Sequence, residues 1–186
     1  MKPRVRRHRL EVRVAWRAGT ELGECPRWNP VRRRIEFIDV PHGELLTYAP
    51  ADGARSRHRL AEELGFLVID AAGERVVGIG LSAFEVTERA GGGAPSAAER
   101  PLWTISGDPR ALRLNDASID RDGAIWTGTM DRHGRQPLGV VYRCGRDGTV
   151  AAFDAGYTIP NGFAISRAGD RLYVADSPER VVYVYE

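Results

Sequence analysis

The sequence predicts an all-β fold of the β-propeller kind, and three observations carry that prediction. Four segments share one strand-turn-strand frame. Their marker residues Trp28, Ile69, Ile119 and Ile165 are separated by 41, 50 and 46 positions, the length of a four-stranded propeller blade. No window sustains an apolar stripe of helical period over several turns.

The four segments are CPRWNPVRRRIEFIDV from Cys25, FLVIDAAGERVVGIG from Phe66, DASIDRDGAIWTGTM from Asp116 and GFAISRAGDRLYVADS from Gly162. Each runs from an apolar residue through a short polar turn into an alternating or apolar strand, and Gly73, Gly123 and Gly169 mark three of the turns. The alternation Arg34-Ile35-Glu36-Phe37-Ile38 and the run Leu172-Tyr173-Val174 have strand period and strand composition. Further strands are predicted where a blade needs them, at Leu45 to Ala49, Phe84 to Thr87, Val140 to Arg143 and Val181 to Tyr185. A basic tail over Met1 to Leu10 is expected to run into a strand over Leu10 to Val14. The Gly- and Ala-rich stretch Arg89 to Arg100, with Pro95, reads as an exposed loop.

Composition narrows the classes of function. With 27 basic and 25 acidic residues the net charge of +2 is too balanced for a polyanionic partner, so no nucleic acid is expected. No apolar run of signal-peptide or membrane-spanning length occurs, so the expectation is a cytoplasmic protein without a membrane partner. Cys25 and Cys144 form no CxxC pair, and His8, His42, His58 and His133 have no metal-ligand spacing. Gly80-Leu81-Ser82-Ala83-Phe84 ends in the wrong residue for a nucleophile elbow. Gly91-Gly92-Gly93 lacks the Lys-Ser/Thr of a phosphate loop.

Four positions before each marker stand Glu24, Gly65, Asn115 and Asn161. Equivalent positions in a propeller lie at equivalent radius, so these residues are expected to ring one end of the central channel. A carboxylate and two carboxamides there make an oxygen-rich site without sulfur or imidazole, which suits a hard divalent cation. Taken singly, each of them also reads as a residue capping a turn.

The motifs LGECPRW at Leu22 to Trp28, RLNDASIDRDGAIWTGTM at Arg113 to Met130 and PNGFAISRAGDRLYVADS at Pro160 to Ser177 resemble the regucalcin (senescence marker protein 30), gluconolactonase and luciferin-regenerating enzyme family, in the family's order. The resemblance implies metal-dependent hydrolysis of a sugar lactone. It implies that Glu24 and Asn161 are metal ligands and that Arg113 and Asn115 hold the sugar's oxygens; Asp116 and Met130 match without an assigned role. Surface ion pairing for Arg113 and turn formation for Asp116 are the alternatives. The cofactor implied is a divalent cation, calcium first, with zinc, manganese and magnesium open.

Two departures from the family pattern stand out. Cys25 occupies a position that is usually glycine. The family's remaining acidic ligand, also its catalytic base, belongs to a further repeat, and one more interval after Asn161 falls beyond Glu186. The expectation is therefore an incomplete propeller domain over residues 1–186, truncated to about four blades' worth of sequence against six in the family. Its catalytic residue is unknown, its lactonase activity impaired, and its open edges available for self-association. A non-catalytic binding propeller and an inactive remnant are the competing readings.

Overall fold

A computed structural model describes residues 11–88 and 93–186, and all regular structure among them is β. The basic tail over Met1 to Leu10 and residues 89–92 of the expected loop lie outside the described residues.

Among the described residues, sixteen strands fold in chain order into four antiparallel sheets. The first holds β1 (Gly23–Asn29), β2 (Arg34–Asp39), β3 (Glu44–Tyr48) and β4 (Arg55–Arg59). The second holds β5 (Leu67–Ile69), β6 (Arg75–Ile79), β7 (Ser82–Glu88) and β8 (Pro95–Ala97), with β9 (Trp103–Thr104) also on β7. The third holds β10 (Leu112–Ile119), β11 (Ile125–Asp131), β12 (Gly139–Cys144) and β13 (Val150–Tyr157). The fourth has three strands, β14 (Pro160–Ile165), β15 (Leu172–Asp176) and β16 (Val181–Tyr185). The first strands β1, β5, β10 and β14 neighbour one another in that order, as the channel wall of a four-blade propeller arrangement requires.

Each sequence marker ends or nearly ends such an inner strand, and the residue after it makes the turn. Asp70 Oδ1 accepts hydrogen bonds from the Ala72 and Glu74 amides, and Asp120 Oδ1 accepts them from Asp122 and Ala124. Ser166 Oγ accepts from Gly169, Asp170 and Arg171, and Asn29 Oδ1 from Arg32. A short polar side chain that binds its own downstream backbone closes the turn at the same place in every blade.

Neighbouring blades pack face to face. A core of Ile38, Leu45, Leu64, Phe66, Leu67, Val76, Val77 and Leu114 joins the first three sheets, and Val141, Tyr157, Phe163, Leu172 and Val174 join the last two. β16 leaves Val181 to Val184 exposed, Val182 by 61%.

Two local expectations are corrected. Residues 11–14 form no strand; the segment instead lies over the first blade, where the Ala15 and Ala18 carbonyls accept hydrogen bonds from Arg55 and Arg57, and Trp16 meets Phe37 edge-on at 5.7 Å. Within the expected loop, Pro95–Ala97 pairs with β7 as β8. In the first case blade contacts replace strand pairing, and in the second an open edge of β7 recruits a low-propensity segment, a tertiary override of local preference.

Candidate metal and substrate site

Glu24, Asn115 and Asn161 lie on β1, β10 and β14, and each inner strand is distorted immediately after that residue. Cys25, Asp116 and Gly162 adopt φ of +52°, +38° and +62°, and the pairing register shifts at each of these points. Such a bulge bends the strand and re-aims the side chain beside it. The glycine usual at position 25 is thereby explained: the backbone there is left-handed, which a side chain tolerates at a cost of about 1–2 kcal/mol.

Gly65, the remaining member of the column, has a different cause. A Cβ placed there would lie 2.4 Å from the Leu114 carbonyl oxygen, because β5 and β10 approach closely and the Asp116 amide donates to the Gly65 carbonyl at 3.2 Å. No side chain fits, and the second blade contributes backbone alone at this level.

Asp116 is the fastener of the site. Its Oδ2 accepts hydrogen bonds from the amides of Gly162 at 2.7 Å and Phe163 at 3.3 Å, and its Oδ1 accepts from Ala117 at 2.8 Å. The Cys25 thiol lies 3.5 Å from Oδ1 and the Arg27 guanidinium 3.8 Å from it. One carboxylate thus ties β1, β10 and β14 together. Its role was left open in the sequence, where the only signal is its place directly after the column residue Asn115.

Arg113 is largely buried. Its Nη1 donates to the Leu114 carbonyl at 2.9 Å and to Asn115 Oδ1 at 3.1 Å, and its Nε pairs with Glu63 at 3.4 Å. Glu63 also binds Arg132 at 2.6 Å. The Asn115 amide nitrogen donates across to the Pro160 carbonyl at 3.0 Å. Arg113 and Asn115 are therefore oriented as a unit, with Glu63 as a positioning partner that the sequence did not reveal.

Asn161 Oδ1 accepts from the Gly162 amide at 2.9 Å, and its nitrogen reaches Ser177 Oγ at 3.5 Å. Glu24 is half-buried, and among the described residues no hydrogen bond or ion pair engages its carboxylate. Burial raises its pKa above the ordinary value, the Asp116 charge adds to that, and Arg113 opposes it. Among the described residues no three His, Cys, Asp or Glu side chains form a metal cluster; the column offers one carboxylate and two carboxamides.

A second repeated device escaped the sequence reading. Asp39 accepts from the Glu21 and Leu22 amides at 3.1 Å each, and Asp176 accepts from Thr158 and Ile159 at 2.8 and 3.0 Å. Both fix the chain as it enters an inner strand. Both follow their markers by 11 residues, a spacing visible in the sequence.

The fold and the bulged column define an SMP-30-type β-propeller. The model of the SMP-30/Gluconolactonase/LRE-like region matches residues 22–186, and the chain belongs to that family. It is 31% identical over 166 residues to Pentonolactonase XacC of Haloferax volcanii, covering 88% of this chain and 53% of the relative. It is 31% identical over 168 residues to 6-deoxy-6-sulfogluconolactonase of Pseudomonas putida, covering 88% and 54%. Among solved structures, a luciferin-regenerating enzyme superposes with a TM-score of 0.80 at 25% identity over 90% of this chain and 56% of its own. The calcium-binding protein regucalcin of Agrobacterium tumefaciens superposes at 0.76 and 22% identity over 89% and 54%, a likeness of fold. The chain spans about half the length of the curated relatives it matches. No helix among the described residues is long and apolar enough to cross a membrane.

Proposed function

We propose that this chain serves the divalent-metal-dependent hydrolysis of a sugar lactone, with Glu24 and Asn161 holding the cation and Arg113 and Asn115 holding the sugar's oxygens. Family membership and two relatives named for sugar lactones support the reaction class. The observation that carries the site is the Glu24 carboxylate: it is half-buried, without an ionic partner among the described residues, and repelled by Asp116. A cation beside it relieves both burial and repulsion, and an oxygen-only donor set selects a hard one.

A bound divalent cation supplies Lewis-acid polarisation of the lactone carbonyl. The chain's own residues orient. Arg113, fixed by Glu63 and the Leu114 carbonyl, presents a charged donor to ring oxygens, and Asn115 is held by Arg113 and Pro160 so that its position varies little. Asp116 keeps the strands carrying Asn115 and Asn161 at one spacing.

Glu24 is the single anionic ligand of this set, so the set by itself is expected to bind cations weakly. Turnover lacks an assigned base, a contribution of about 10²–10⁴ in rate. Calorimetric titration with calcium, manganese and zinc, beside lactone opening followed by acid release, tests the assignment. Glu24→Gln is expected to abolish the metal signal, and Arg113→Ala to leave it nearly intact while weakening lactone use. Equal loss of metal affinity in both variants overturns the division of roles.

A further inference from the structure

The cleft between the first and second sheets holds a half-open polar cavity of about 180 Å³ lined by Arg34, Thr47, Ser56, His58, Arg75 and Glu88, together with Gly93 and Pro95. None of these is a residue of the channel column. The cavity is several times the roughly 30 Å³ that one water occupies in the liquid.

Its inner wall is Arg75 on β6, whose side chain is 0% exposed. Arg75 Nη2 donates to Glu88 at 3.1 Å, but Nε and Nη1 have no hydrogen-bond partner among the described residues. The Glu36 carboxylate behind it, also 0% exposed, accepts from Asn29 and Arg34 through Oε1, while Oε2 lies 3.6 Å from Arg75 Nη1, beyond hydrogen-bond reach. Leaving buried charged donors unmade is costly, and a guanidinium does not escape by losing its proton. Burial lowers the pKa of Arg75, Glu36 and Glu88 oppose that, and Arg32 and Arg34 add to it.

The local charge does not close. Arg32, Arg34 and Arg75 face Glu36 and Glu88, three positive charges against two negative. Glu88, the one carboxylate on the cavity wall, is already engaged by all three guanidiniums at 2.7 to 3.5 Å, so its charge is screened from the cavity. The wall also carries uncharged hydroxyls: Thr47 Oγ1 and Ser56 Oγ share one hydrogen bond at 2.7 Å, which leaves one hydroxyl proton free to donate, and the His58 ring lies beside them.

We propose that this inter-blade cavity binds a small tetrahedral oxyanion, phosphate or sulfate, whose oxygens accept from Arg34, from the Thr47–Ser56 hydroxyl pair and, once the Arg75 side chain turns toward the cavity, from its idle Nε–H. The ligand supplies the missing negative charge and the missing acceptors together, and Arg is the side chain whose planar fork matches such an anion. Bound there, it bridges the first and second blades.

The experiment compares phosphate, sulfate and acetate with chloride at matched ionic strength, following the thermal midpoint and titrating phosphate by calorimetry. Phosphate or sulfate is expected to raise the midpoint saturably above chloride, because a ligand that binds only the folded chain stabilises it by mass action. Arg75→Lys should weaken phosphate binding about tenfold. Should that variant fail to fold, His58→Ala and Ser56→Ala on the outer strand β4 serve instead, each expected to weaken binding about threefold, with an unchanged midpoint in chloride for His58→Ala and a small fall for Ser56→Ala, which loses its bond to Thr47. Phosphate and sulfate no better than chloride, affinity unchanged in these variants, or acetate binding more tightly than phosphate each overturns the proposal.

Discussion

Replacing Asp116 with alanine should unfasten the propeller at the site while leaving every blade's own ladder intact. The variant loses the acceptor for the Gly162 and Phe163 amides, at 2.7 and 3.3 Å, and for the Ala117 amide at 2.8 Å. A hydrogen bond to a charged group contributes about 1.5–3 kcal/mol, and the longer Phe163 contact is weaker. Alanine must also hold the left-handed backbone at φ +38° without the local hydrogen bond that lets aspartate do so. A net loss of about 3 kcal/mol follows. For a chain of this size each kcal/mol corresponds to about 2–4 °C, so the midpoint should fall by roughly 6–12 °C. Asp116→Asn keeps the backbone preference and one acceptor oxygen, and should lose about half as much. Urea and thermal unfolding followed by circular dichroism give the magnitude, and hydrogen exchange at the Gly162 amide gives the location, with faster exchange in the alanine variant. A midpoint within about 1 °C of the parent, with unchanged Gly162 protection, would refute the assignment of Asp116 as the tie between β10 and β14.

Gly65→Ala should cost about 1–3 kcal/mol by overpacking, since its Cβ meets the Leu114 backbone and not a movable side chain; an unchanged urea midpoint would contradict that close approach. Asp120 is predicted to contribute acid-sensitive stability. Burial raises its pKa, but Arg143, the Ala124 amide and Trp126 outweigh this and hold it below the ordinary aspartate value. A depressed folded pKa means stability that is full above the unfolded value and lost as pH falls through the folded one. The stability gap between parent and Asp120→Asn should therefore be constant from neutral pH to about 5 and narrow progressively as pH falls below about 4, and a gap that does not narrow on acidification would exclude the mechanism. Cys25 and Cys144 are both buried, and burial pushes each thiol up to about 12, with Asp116 adding to the shift at Cys25. Neither should react with a thiol reagent at pH 8 until the chain is unfolded, so rapid modification of the native protein would count against the packing at both positions.

Much of the architecture was legible because a propeller writes itself as repetition. The markers at Trp28, Ile69, Ile119 and Ile165 sit at the turn between the first and second strands in all four sheets, and the polar residue after each closes that turn. The column four residues earlier does fall on the inner strands. What stayed hidden depends on contacts between blades. Glu63 reads as a charged residue in a loop, yet it bridges Arg113 and Arg132. Strand alternation suggested apolar Ile35 and Phe37 against polar Arg34 and Glu36, yet Glu36 is wholly buried because its face of the first sheet meets the second, where Arg75 lies. The short strand at Pro95–Ala97 exists through pairing with β7 and has no signature of its own.

The three left-handed residues that follow Glu24, Asn115 and Asn161 join local strain to function. Gly162 adopts this conformation without cost, whereas Cys25 and Asp116 do so at about 1–2 kcal/mol each. Cys25 recovers part of that by burying its side chain beside Phe66 and Leu67 in the core. Asp116 recovers it differently: the bulge turns its carboxylate away from its own ladder, toward the Gly162 and Phe163 amides on one side and the Cys25 thiol on the other. The residue that bears the strain is thus the one that ties the strands, and the same bulge re-aims Asn115 beside it. Position 25 shows the converse. A thiol there donates only a weak hydrogen bond to Asp116, at 3.5 Å, so the tie to β14 is the stronger one, and Arg27 gives β1 a second link to β10 by donating to the Ala117 carbonyl at 2.8 Å.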